Sequence, residues 1–169
     1  TEVRNAWSEL TDRSEVLVIA LRAALASGRS VRIGEAKWDH ASLNTTAVSA
    51  AKAAVEAFPY KPDAATSLAE EAAIIIAVRT ALKASDWASA ASWSGLVTVL
   101  EGVPQSHREA EEVQDAWKEL FEVRAMLERA VSKALDSGRS VKRFTTAVAI
   151  GWAHDEMVTE PLSKAVAAL

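Results

Sequence analysis

The sequence predicts an all-α domain: three tandem antiparallel helical hairpins, about six helices, forming an α-solenoid segment or helical bundle. Three observations carry this prediction. Apolar residues recur at alternating steps of four and three along the longest segments, the period of a helix with one buried face. A thirty-residue segment recurs 110 positions further on. No sustained Val/Ile/Thr alternation bounded by hairpin-turn residues stands out, so no strand is expected.

The repeat is read directly from the residues. Positions 2 to 31 align without gaps on 112 to 141, with fifteen identities that include Glu2, Val3, Ala6, Trp7, Glu9 and Leu10 against Glu112, Val113, Ala116, Trp117, Glu119 and Leu120. The match ends in one pentapeptide, Ser-Gly-Arg-Ser-Val, at Ser27 to Val31 and again at Ser137 to Val141. A fainter middle copy lies at a shift of 57, where Ile76 to Leu82 follows the pattern of Ile19 to Leu25. The expected copies span 1–61, 62–105 and 106–169 of a single helical-repeat domain. With no initiating methionine, the domain reads as a piece excised from a larger protein.

Each copy is expected to hold a long first helix, a break, and a second helix with a Trp near its start: Trp38, Trp93 and Trp152. In the first helix Val3, Trp7, Leu10, Leu17, Leu21 and Ala24 form the stripe, with Ser14 its one polar member. The second helix is expected from about Glu35 to Phe58, stopped by Pro59. In the middle copy Ser67 and Glu70 read as a capping box, and Asp86 as the cap of a short helix holding Trp87 and Trp93. Ser106 and Glu109 open the third copy in the same way, and Pro161 interrupts its last helix.

Composition narrows the function classes. Nineteen Lys and Arg against 23 Asp and Glu leave a net charge of -4, which argues against nucleic acid as a partner. The chain has no Cys, so it has neither a disulfide framework nor a thiolate metal site, which suits a reducing, intracellular and cytoplasmic setting. The longest stretch free of polar side chains, Ala72 to Val78, is far below the roughly 20 residues of a membrane span. There is no phosphate-binding Gly loop, nucleophile elbow or His-Glu-x-x-His helix, so neither an enzyme nor a cofactor is expected.

Three polar or aromatic features could carry function. The repeated turns place Arg29 and Arg32 in the first copy and Arg139, Lys142 and Arg143 in the third, a set that could form one basic edge meeting an acidic partner surface or anionic membrane head groups. The simpler account is helix punctuation: Gly28 and Gly138 close helices in the left-handed region, and basic side chains there offset the helix dipole. Five of the six Trp recur at equivalent repeat positions and read as packing, whereas Trp87 has no counterpart and is the one suited to exposed binding. His40 and His154 each follow a Trp by two residues, but lack the partners of a metal site and read as surface or capping residues.

The Trp in a long first helix and the 110-residue shift resemble spectrin-like repeats, and the Ala-rich helices resemble talin or vinculin rods. The hairpin period of about 55 residues matches neither, and no family is assigned from the sequence. The expected function is a non-enzymatic structural or protein–protein interaction scaffold, with another protein or neighbouring repeats as partner. The alternative is a bundle that binds an apolar or lipid-like ligand.

Overall fold

A computed structural model describes residues 2–33, 37–85, 90–137, 141–146, 149–153, 159–160 and 163. Among these, the helical segments are α1 (Glu2–Ala26), α2 (Thr46–Ala57), α3 (Asp63–Ala84), α4 (Ala90–Glu101) and α5 (Glu111–Ser137), with a 3-10 turn at Gln105–His107. The helical bundle predicted from periodicity is what forms, with five described helices instead of about six.

α3 organises the bundle, because it contributes to both hydrophobic cores. Ala65, Ala69 and Ala72 pack with Leu21 of α1 and Val48 and Val55 of α2. One to three turns further along, Ile75, Val78 and Leu82 pack with Trp93, Leu96 and Leu100 of α4 and Val113, Ala116 and Val123 of α5. A helix enclosed on several sides shows no single apolar stripe, which explains the unbroken run from Ala72 to Val78. Small Ala side chains let α1 and α2 approach one end of α3, while branched and aromatic residues fill the wider space at the other.

Two departures from the sequence reading matter for the site. Where a second helix was expected from Glu35, the chain forms an antiparallel hairpin of β1 (Val31–Ile33) and β2 (Lys37–Asp39), and α2 starts only at Thr46. The third copy does the same with β3 (Val141–Thr146) and β4 (Ala149–Ala153). The expectation of no strand is thereby corrected. The three-residue strands of the first copy are too short to display a period of two, and the Trp-bearing segment fits a helical period equally well. The hairpins share a register: Arg32 lies opposite Trp38, and Lys142 opposite Trp152.

The capping expectations are also revised. α3 begins at Asp63 after Pro62, so Ser67 and Glu70 lie inside the helix and are not its cap. Ser106 sits in the 3-10 turn, and α5 starts at Glu111. Asp86 and Trp87 lie outside the described residues, as do Gly138, His154 and Pro161. Of the Trp expected in the core, Trp93 is buried, Trp38 and Trp117 are half-buried, and Trp7 is 54% exposed with its ring edge-on to Tyr60 at 5.5 Å. The side chain of Trp152 lies outside the described set.

Candidate functional site: a polar clasp between the first and third copies

The pentapeptide and the hairpin after it close against the acidic face of α5. Gly28 ends α1 with φ +64°, and a Cβ there would meet Cβ of Asn44 at 2.9 Å, so position 28 calls for glycine on two counts. Asn44 N–H donates to the Gly28 carbonyl at 3.0 Å and Ser42 Oγ to the Arg29 carbonyl at 2.7 Å, tying the exit of the hairpin to its entry.

Four side chains then reach α5. Arg29 Nη1 donates to Glu111 Oε2 at 2.8 Å, with Glu112 and Asp115 carboxylate oxygens at 3.6 and 3.7 Å. Partial burial works against the charged guanidinium, but the Glu111 hydrogen bond and the charges of Glu111, Glu112 and Asp115 outweigh it and raise its pKa. Arg32 Nη2 donates to Glu122 Oε1 at 2.8 Å while its guanidinium lies 5.7 Å from the centre of the Trp38 ring, and Trp38 Nε1–H points at the other Glu122 oxygen at 3.4 Å. His40 bridges Ser30 Oγ at Nδ1 and Glu119 Oε1 at Nε2, both at 2.8 Å. His40 is thus an interior bridge, not the surface or capping residue expected from the sequence.

Beneath this layer lies Arg79 of α3, fully buried. Its Nε and Nη2 grip both oxygens of Glu112 at 2.9 and 2.6 Å, while Nη1 and Nη2 donate to the carbonyls of Asn44 and Leu25, each at 2.7 Å. One guanidinium therefore joins the last turns of α1, the loop before α2, α3 and α5. Among the described residues no buried side-chain nitrogen or oxygen lacks a partner, which is the condition for a buried polar network to rigidify a fold.

The sequence reading had named two members of this site, Arg29 and Arg32, and the structure brings them together on one helix of the third copy. They face inward to this chain's own carboxylates and do not form a free edge. Lys142 and Arg143 lie on β3, described as backbone only, and Arg139 and Trp87 lie outside the described residues. Arg79, Glu112, Asp115, Glu119 and Glu122 were missed. Two signals for them exist: the acids at 112, 115, 119 and 122 follow a 3-4-3 spacing that places them on one helix face, and Arg79 is the one charge in an otherwise apolar window.

Ser30, His40 and Glu119 have the composition of a nucleophile–base–acid triad, so their chemistry bears examination. The void that Ser30 and Glu119 border has a volume of about 20 Å³, room for about one water molecule. Glu119 is 1% exposed. This arrangement orients and holds side chains. Among the described residues no group of three or more His, Asp or Glu is placed to hold a metal ion, and no helix is long and apolar enough to cross a membrane.

Fold and site together define a helical-repeat bundle locked by a charged clasp. No protein-family model matches the chain, and no solved structure does. The high molecular weight form of myosin-1 of Acanthamoeba castellanii is 30% identical over 128 residues, which cover 73% of this chain and 8% of that protein. The chain therefore resembles one segment of a far longer polypeptide.

Proposed function

We propose that this chain is a non-enzymatic scaffold module of a larger protein, whose work is to hold another protein or a neighbouring repeat against its first helix. The observation that supports this most is the different fate of two matching helices. On α5, Val113 and Ala116 are buried against α3 and α4; their counterparts on α1, Val3 and Ala6, are exposed, Val3 by 73%. Val16 and Ile19 on α1 are 64% and 65% exposed as well. Exposed apolar residues along one helix are a feature of surfaces that meet a partner. An open-ended helical array has such a face wherever a neighbouring unit is missing.

The ligand-binding alternative finds its best support in an apolar groove of about 370 Å³ lined by Trp93, Val97, Trp117, Leu120, Phe121 and Leu127. Glu101 and Arg124 line that groove as well, and charged lining of this kind suits a partner's side chains better than a lipid. The test is a photo-crosslinking residue at Ile19 in the full-length protein, with Thr80 of α3, exposed elsewhere, as control. A discrete protein adduct from position 19 and none from position 80 is expected. Equal labelling from both, or none from position 19, overturns the scaffold reading.

A further inference from the structure

The acidic face of α5 that receives the first hairpin has a twin at the start of the chain. Moving the receiving residues back by 110 positions turns Glu112, Asp115, Glu119 and Glu122 into Glu2, Asn5, Glu9 and Asp12: two identities, one acid exchanged for another, and one amide in place of an acid. All four lie on one face of α1, and all four are exposed, with the Glu9 side chain at 63%. Among the described residues no hairpin covers them. Glu9 pairs, among the described residues, with Arg13 one turn further on, at 2.6 Å on the open surface, an interaction of little worth and readily exchanged.

The inserted element has a twin too. The second hairpin repeats Ser-Gly-Arg-Ser-Val, carries Lys142 where the first has Arg32, and places it opposite Trp152 as Arg32 is placed opposite Trp38. Two residues after each Trp comes a His, His40 and His154. The chain thus has one filled socket in its middle, an open socket at its start, and a second copy of the plug near its end.

We propose that the acidic face of α1 is the docking site for the β3–β4 hairpin of a second copy of this chain, as the α5 face is for the first hairpin. This rests on the scaffold reading and names the partner. By position in the two hairpins Lys142 and Trp152 correspond to Arg32 and Trp38, His154 to His40 and Arg139 to Arg29, while Asp12, Glu9 and Glu2 correspond to the Glu122, Glu119 and Glu112 that the first hairpin meets on α5. Socket and plug are different surfaces, so the contact is head-to-tail and open-ended: each bound copy offers a new socket, and association continues without closure. The complementary charges are solvent-facing, so the contact is salt-sensitive.

The experiment is analytical ultracentrifugation of the purified chain with two blocked variants. Glu9→Arg/Asp12→Arg closes the socket at exposed positions, and Arg139→Gln/Lys142→Gln strips the plug of its charge without making it complementary to the closed socket. The wild-type chain is expected to gain mass steadily between about 10 µM and about 1 mM, the range of weak association. Its dissociation constant should rise by about tenfold or more from low to high salt. Each variant alone stays monomeric, while their equimolar mixture forms a dimer and stops there, since only one good socket and one good plug remain. That dimer also shows both variants to be folded. A wild-type chain that is monomeric at low salt, variants that associate as the wild type does, or a mixture that forms no dimer overturns the proposal. A crosslink from Ile19 to some other protein would then leave the scaffold reading standing without it.

Discussion

Replacing Arg79 by Met is the most searching perturbation of this fold. Met keeps a long apolar stem of similar volume but removes every donor that Arg79 supplies. Four hydrogen bonds vanish: two to Glu112, which is only 12% exposed, and one each to the carbonyls of Leu25 and Asn44. Breaking a buried ion pair from one side costs about 3–5 kcal/mol, because the surviving carboxylate stays in a poorly solvated place. For a chain of this length each kcal/mol moves the melting temperature by about 2–4 °C, so a fall of about 6–20 °C is expected. Urea unfolding of the single variants and of Arg79→Met/Glu112→Gln supplies the check. The double variant should regain part of the loss, since it no longer strands a charge. A single-variant loss below about 1 kcal/mol would refute the account of the clasp, because it would leave the buried network within the range of an exposed surface pair.

Gly28→Ala should destabilise by about 1–3 kcal/mol in chemical denaturation, through the left-handed backbone and the contact with Asn44; an unchanged midpoint would contradict the tight turn. Trp93→Ala should cost about 3–5 kcal/mol and Trp7→Ala about 1 kcal/mol or less, since Trp93 is 5% exposed and Trp7 mostly meets water and Tyr60. Equal losses for the two would overturn the burial order. Arg29→Glu should lower stability by about 1 kcal/mol at low salt and less at high salt, since it sets a fourth negative charge beside Glu111, Glu112 and Asp115. The folded pKa of Arg29 is raised, so while Glu111, Glu112 and Asp115 are ionised its stabilising share is present below the ordinary arginine value and is lost only in strong alkali. Salt is therefore the informative variable, and a salt-independent loss would speak against an ionic contact.

Much of this architecture is written locally in the chain. The 3-4 spacing of Leu10, Leu17, Leu21 and Ala24 determines where a long helix forms and which side it buries, and Pro59 and Gly28 mark where helices stop, because these are properties of a few neighbouring residues. The 110-residue repeat likewise identified two helices that form over the expected ranges. What the sequence by itself could not decide is which surfaces meet. Trp7 and Trp117 sit in matching segments, yet one is exposed and the other packs against the core, because α5 has α3 and α4 beside it and the start of α1 does not.

The same holds for charge. From the sequence, Arg29 and Arg32 read as basic turn residues, and nothing marked Asp115, Glu119 and Glu122 as facing the first copy. Bringing residues about 80 to 90 positions apart into contact turned both sets into one clasp. Periodicity reports whether a helix has a buried side, but not what buries it, and a carboxylate meant for solvent is spelled like one meant for a guanidinium. That distinction is made only by the burial and charge surrounding each group once the helices have packed.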